Sequence, residues 1–295
     1  MPWDDDWSIK SIFVDWYEYR SWWVILQKNE PIYIYGGCYF FKNRYITYCF
    51  MLLIDVMLEI KKLWVSVEEN NVVQEVSLSF EPGKNYCILG KNGSGKSSLA
   101  LTIMGHPAYE VASGDIVIDG ESIIEMEADE RAKLWIFLAF QTIPEVKWVK
   151  LFEFLRTIYN SRWDKKESFV SFKRLILPYL EELWIDKEFL RRDLNVGFSG
   201  GERRKIEILQ LKLLQPKYIF LDEVDSGLDV DAFRSVAELL KVVNNDENSF
   251  IIITHYFSIL DYLPVDQVVV LEQGRIVEQG WVDIAKRIRT QGFAK

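Results

Sequence analysis

The sequence predicts an α/β fold built on a largely parallel sheet, with a helical subdomain inserted into it. Three observations predict it. Short, wholly apolar runs recur along the chain, as the buried strands of parallel sheets do. Amphipathic segments with helical spacing separate them. A glycine-rich loop follows one of these strands and opens a helix.

In chain order, LEIKKLWVSV from Leu58 and VSLSF from Val76 read as strands, the second closed by the turn signal Pro82-Gly83. Tyr86 to Leu89, Ile136 to Phe140, Tyr218 to Leu221 and Phe250 to Ile253 read as buried strands of the parallel sheet. The texture changes between Val149 and Asn195, where Leu151, Phe154, Leu155 and Ile158, then Phe172, Leu175, Ile176, Tyr179, Leu180 and Leu183, fall at helical spacing. This predicts the helical insertion, at about 149–200. Residues 1–56 differ in kind, holding Trp3, Trp7, Trp16, Trp22 and Trp23 with no sustained period, so they are read as an N-terminal extension to a domain spanning 57–295.

Composition narrows the function. With 295 residues, 49% of them hydrophobic, the chain can bury a substantial core. A formal net charge of -9 argues against nucleic acid as the main ligand. Cys38, Cys49 and Cys87 lack any C-x-x-C spacing, which indicates neither a disulfide framework nor a zinc or iron–sulphur site and fits a cytoplasmic protein. The opening MPWDDDW is acidic, unlike a signal peptide, and the apolar stretch Tyr45 to Ile54 falls short of the roughly 20 residues of a membrane span. No direct membrane insertion is expected.

The chemistry lies in a few segments. Gly90-Lys91-Asn92-Gly93-Ser94-Gly95-Lys96-Ser97 stands between YCIL and the helical SLALTIM, the context in which G-x-x-x-x-G-K-[ST] becomes a triphosphate site. Its glycines let backbone N–H groups curl around phosphate oxygens, Lys96 meets the terminal charges, and the Ser97 hydroxyl can ligate magnesium. The competing reading is a glycine-rich turn with a surface lysine. YIFLDE ends a buried strand in Asp222 and Glu223, the first suited to magnesium and the second to activating water; alone, such acids are often mere surface charge. Gln141 follows IFLAF and His255 follows FIIIT, so both sit just past strand C-termini, the edge where open α/β sheets collect ligand groups. His106, in GHP, reads as a turn residue.

In NVGFSGGERRKIEILQ, Ser199 and Glu202 have the spacing of a capping box. A cap does not require Gly200 and Gly201, which cost roughly 1 kcal/mol each against alanine in a helix interior. Bare amides at a helix start attract an anion. One triphosphate does not need two helix N-termini from one face of one monomer, so this second element is expected to close on the nucleotide held by another copy.

These residues are similar to the ABC-type ATPase domains: GKNGSGKS as Walker A, Gln141 as the Q-loop, FSGGE as the signature, YIFLD with Glu223 as Walker B, SGLD at Ser226 to Asp229 as the D-loop and His255 as the H-loop, in the family's order. NVGFSGGE, DEVDSGLDVDA, the Tyr256 that follows His255, and ILDYL further resemble the SufC group, the ATPases of Suf iron–sulphur cluster assembly. The resemblance runs from Met57 almost to the end. It implies a RecA-like core with an antiparallel β subdomain and the inserted helices, ATP with Mg²⁺, SufB-like and SufD-like scaffold partners, and a transient ATP-dependent homodimer that opens the scaffold.

By that resemblance Gly90, Asn92, Gly93, Ser94, Gly95, Lys96, Ser97 and Ser98 bind the triphosphate, Ser97, Gln141 and Asp222 attend the metal, Glu223 is the general base and His255 contacts the γ-phosphate. Lys96 and Gln141 join the catalytic set; Ser199 and Gly201 act across the dimer, and Gly200 and Asp229 are counted with the nucleotide-binding residues. Ser98 replaces the family's usual threonine, and Val67, with Trp64 ahead of it, stands where many members stack an aromatic on adenine.

Trp135, Trp148 and Trp281 stand where the family usually carries glycine, in turns where φ > 0 costs a bulky residue about 1 kcal/mol or more. Two readings follow. Either the gene uses UGA for glycine, with residues 1–56 upstream DNA read through and Met57 the start, or these tryptophans pack on a partner. Trp64 and Trp184 are read as ordinary.

The rival function is the ATPase subunit of a membrane transporter, which shares every ATP-binding residue. An ATP-switched module acting on ribosomes or DNA generally brings two cassettes or a long coiled coil, and this chain has one phosphate loop and no heptads. A P-loop kinase gives Ser199 to Gly201 no role.

Overall fold

The computed structural model describes residues 12–14, 22–24, 57–255 and 257–293. The chain divides into two units, Met1–Ile54 and Asp55–Lys295. In the first, β1 (Ile12–Val14) pairs antiparallel with β2 (Trp22–Val24). The expected extension and the Tyr45 to Ile54 stretch otherwise lie outside the described residues, as does Tyr256.

The second unit opens with β3 (Leu58–Val67) and β4 (Asn70–Phe80), the strands expected from LEIKKLWVSV and VSLSF. Leu58 and Ile60 point inward on one phase, Leu63 and Val65 on the other, and all four are buried. Alternation alone forbids that. A bulge resolves it: the register shifts between Ile60 and Leu63, and Lys62 takes a φ of 45°. Opposite the bulge a Cβ on Gly114 would stand 2.4 Å from the Lys62 carbonyl oxygen, so only glycine fits there.

The chain continues through β5 (Tyr86–Leu89), α1 (Lys96–Ile103), β6 (Glu110–Ile118), β7 (Glu121–Ser122), α2 (Ala128–Lys133), β8 (Ile136–Ala139) and β9 (Val146–Lys150). Then come α3 (Leu151–Trp163), α4 (Phe169–Glu182), β10 (Asp193–Leu194), α5 (Gly200–Leu214), β11 (Tyr218–Asp222), α6 (Val230–Val243), β12 (Ser249–Ile253), β13 (Gln267–Glu272), β14 (Arg275–Gly280) and α7 (Asp283–Gln291).

Two sheets result. A four-stranded antiparallel sheet has the order β4-β3-β6-β7, and a six-stranded sheet the order β14-β13-β5-β12-β11-β8, parallel throughout except for the β13–β14 pair. Every residue of β11 and β12 is buried, as continuous apolar strands covered on both faces must be. Along β11 the side chains alternate between layers: Ile219 and Leu221 pack with the helices α3 to α6, while Tyr218 and Phe220 pack with the antiparallel sheet. The Tyr218 hydroxyl donates to Phe80 O at 3.0 Å and accepts from Leu58 N at 3.1 Å, joining the layers.

The helical insertion is built from apolar residues four apart, one helical turn. Leu151, Leu155 and Tyr159 of α3, and Phe172, Ile176 and Leu180 of α4, are buried one turn apart. The other positions expected to face inward, Phe154, Ile158, Leu175 and Tyr179, pack partly buried against the same cluster. The expected strand at Ile136 to Phe140 ends one residue early, and Phe140 is 46% exposed.

The sheet order decides where the chemistry goes. β5, β12, β11 and β8 are four consecutive parallel neighbours, so the segments after their C-termini open at one edge. Those segments carry Gly90 to Ser97, His255, Glu223 and Gln141.

Candidate active site

The phosphate loop follows β5. Gly93 and Gly95 take φ of 78° and 99°, left-handed conformations that turn successive N–H groups to one side. Space excludes side chains at two of its glycines. A Cβ on Gly90 would lie 2.3 Å from Leu271 O, and one on Gly95 2.5 Å from Val72 O. Gly95 is also the N-cap of α1, where no side chain caps the first turn. The first-turn amides are left for an anion. Lys96 is buried and donates from Nζ to Gly90 O (2.8 Å) and Lys91 O (3.0 Å). Burial lowers its pKa, and the carboxylates of Glu223 and Asp222 work against that shift.

Ser97 donates from Oγ to Asp222 Oδ1 at 3.0 Å, so the end of β11 meets the loop after β5. Burial raises the Asp222 pKa; the Ser97 hydrogen bond opposes this and the neighbouring Glu223 charge adds to it. A buried carboxylate whose ionised form is disfavoured, beside a hydroxyl, is a donor set that a hard divalent cation suits, since the cation's charge favours the ionised form. Ser97 and Asp222 therefore fit Mg²⁺.

Glu223 lies next in the chain, 8% exposed, with φ of 46°. Its N–H donates to Ile253 O at 2.8 Å, which fixes it to the end of β12. Gln141 Nε2 donates to Glu223 Oε2 at 2.5 Å, and His255 Nδ1 lies 2.9 Å from Glu223 Oε1. Three residues expected from three separate strand ends thus meet on one carboxylate, held between a glutamine and a histidine.

The second phosphate-seeking element is a capping box with both halves formed. Ser199 N donates to Glu202 Oε2 (2.7 Å) and Glu202 N to Ser199 Oγ (3.3 Å) at the start of α5. The glycines behind it have a packing role that sequence reading did not find. A Cβ on Gly200 would stand 3.1 Å from Leu228, and one on Gly201 3.2 Å from Ala232, tight approaches that let α5 lie against the start of α6. Asp229 caps α6, accepting from Ala232 N at 2.8 Å. Asn92 is exposed, the Ser94 hydroxyl is buried without a hydrogen-bond partner, and Ser98 O accepts from the Thr102 hydroxyl at 2.7 Å. Near the strand turn, the Arg275 guanidinium lies 5.7 Å from the Trp64 ring centroid.

One supporting pair was missed entirely. Arg204 and Glu207 of α5 are 4% and 6% exposed and form an ion pair at 2.6 Å. Arg204 donates to Phe140 O (2.7 Å) and Gln141 O (3.1 Å), and Glu207 Oε1 accepts from Phe140 N (3.2 Å). The signature helix thus holds the backbone that presents Gln141. The signal was present: in RRKIEILQLKLL, Arg204 and Glu207 occupy the same face as Ile208 and Leu211, where a charge needs a partner. Arg204→Ala leaves Glu207 buried and unpaired, and burial already raises its pKa. The expected loss of stability is about 3–5 kcal/mol by denaturant unfolding, with Arg204→Met/Glu207→Leu losing less. A loss under about 1 kcal/mol refutes this account.

The tryptophans divide differently from expectation. Trp135 and Trp148 have φ of 71° and 68°, but Trp281 is absent from the left-handed region and Trp184, read as ordinary, has φ of 50°.

A profile of the family described as ABC transporter matches residues 73–226. The chain is 44% identical over 243 residues to a protein of Pyropia yezoensis named probable ATP-dependent transporter ycf16, covering 81% of this chain and 97% of that one. It is 41% identical over 238 residues to vegetative protein 296 of Bacillus subtilis, covering 80% and 91%. The dimeric ATP-binding cassette MJ0796 bound to ADP and phosphate superimposes with a TM-score of 0.66 at 19% identity, over 76% of this chain and 98% of that one. A similar likeness holds for the cassette MJ1267, with a TM-score of 0.65 at 24% identity over 80% and 96%.

Proposed function

Because the chain belongs to the ABC-type ATPase family, whose profile spans 73–226 and whose relatives reach 44% identity, we propose that it drives iron–sulphur cluster assembly by ATP-dependent dimerisation. ATP binding and hydrolysis come with the family. The observation that carries the catalytic assignment is the meeting of Gln141 and His255 on Glu223, beside Lys96 and Asp222.

In this reading the amides of Gly90 to Ser98 and the Lys96 ammonium hold the triphosphate. Glu223 takes the proton from water as it attacks the γ-phosphorus. Gln141 and His255 keep that carboxylate aimed, and His255 reaches toward the γ-phosphate. Ser97, Gln141 and Asp222 are the groups that would hold Mg²⁺, which when bound neutralises charge on the β- and γ-phosphates. Ser199, Gly200 and Gly201 close the site from a second copy, with Asp229 at the contact. The cassette MJ0796 is described as a dimer bound to ADP and phosphate, which supports that arrangement.

NVGFSGGE, DEVDSGLD and ILDYL support the Suf assignment, with SufB-like and SufD-like scaffolds as partners in the cytoplasm. The names of the relatives, probable ATP-dependent transporters, favour a second reading as the ATPase subunit of a membrane transporter. Among the described residues no helix is long and apolar enough to cross a membrane. Affinity purification from the native organism with mass spectrometry separates the two. Suf scaffold proteins without membrane subunits are the expected company; transmembrane subunits without scaffold overturn the Suf reading.

A further inference from the structure

Thirteen described residues other than glycine have φ in the left-handed region. Ten are lysine, glutamate, aspartate, asparagine or glutamine: Lys62, Glu68, Glu69, Glu75, Asp119, Asp164, Asn195, Gln215, Glu223 and Gln273. The other three are all tryptophan, and no further apolar residue joins them. Of the six tryptophans described in the second unit, at 64, 135, 148, 163, 184 and 281, half occupy a conformation that bulky side chains avoid.

Each of the three sits in a glycine niche of a recognisable kind. Trp184 follows Leu183, the C-cap of α4, and so is the C′ residue. Its N–H donates to Glu181 O at 3.2 Å, and that of Ile185 to Leu180 O at 2.8 Å. Those two bonds define a Schellman motif, completed by the apolar contact of buried Leu180 and Ile185 in one core cluster. The residue such a motif most often carries at C′ is glycine. Trp135 is likewise the C′ residue of α2, after the C-cap Leu134. Trp148 lies in β9, where the register with β10 shifts, the bulge position that glycine fills.

Packing does not account for these conformations. Trp148 is 91% and Trp184 76% exposed, so neither side chain is held in place by the core. A partner surface would explain exposed aromatics, but not why their own backbone is left-handed. Trp135 is half-buried, with the Arg162 guanidinium 3.4 Å from its ring centroid and the Trp163 ring edge-on at 5.9 Å, and Lys205 Nζ lies 5.8 Å from the Trp184 ring centroid. Trp163 is the contrast: helical, partly buried against the core, with its Nε1 donating to Leu213 O at 3.0 Å.

We infer that positions 135, 148 and 184 are glycine in the protein its own cells make, because the codon behind these three tryptophans is UGA, which those cells decode as glycine. Trp163 is a tryptophan proper. Trp281, with ordinary backbone, falls outside the inference.

Peptide mass spectrometry of the chain purified from its source tests this, with glycine expected at all three positions and tryptophan at 163. Tryptophan at any of the three overturns it. In recombinant protein, Trp148→Gly and Trp184→Gly are each expected to raise Tm by about 2 °C or more, whereas Trp163→Gly lowers it. A lower Tm for either of the first two variants also overturns the inference.

Discussion

Glu223→Gln binds ATP but hydrolyses it about a hundred- to ten-thousandfold more slowly, the range that loss of a positioned general base produces. The site geometry explains why binding survives. Lys96 meets Glu223 through charge, and the substitution keeps the side chain's length and its acceptor for Gln141 Nε2. What disappears is the proton acceptor, together with one of the two oxygens that Gln141 and His255 now share. With hydrolysis stopped, the nucleotide-bound dimer accumulates. Phosphate release, binding of a fluorescent nucleotide and gel filtration with ATP read the three effects. Turnover at the wild-type rate in this variant refutes the role given to Glu223.

Mixing two dead chains revives activity. Lys96→Ala removes the ammonium from the phosphate loop, and Ser199→Arg obstructs the cap at the start of α5; each homodimer is expected to be inactive. If Ser199 acts across the interface, a mixed dimer joins the intact lysine of one chain to the intact serine of the other. Random pairing makes half the dimers mixed, with one good site of two, so about a quarter of the wild-type rate returns. A mixture as inactive as its components refutes the trans assignment and leaves Ser199 as a helix cap.

What was legible in the sequence, and what was not, follows from the range of the interactions. The phosphate loop and the capping box at Ser199 could be read because backbone geometry within a few residues dictates their residue types. The strands β5, β11 and β12 could be read because burial on both faces leaves an unbroken apolar run. The convergence of Gln141, Glu223 and His255 on one carboxylate was foreshadowed by their shared place after strands, yet the contact depends on strand order, which no local pattern encodes. Arg131 shows the limit most plainly. One arginine in ADERAK reaches the carbonyls of Thr102, Ile103, Ile124 and Met126, satisfying the end of α1 from about thirty residues away. Trp184 escaped for a different cause. Its side chain looks unremarkable in a helical stretch, and only the hydrogen bonds around it reveal what the backbone demands.

The arginine and glutamate of α5 grip both an amide and two carbonyls at the end of β8. A push on that helix from a neighbouring molecule has no slack to absorb it there. A tilt of α5 would be delivered to Gln141 as a displacement of its main chain, so in the proposed reading docking of a second copy and alignment for hydrolysis would be a single mechanical event.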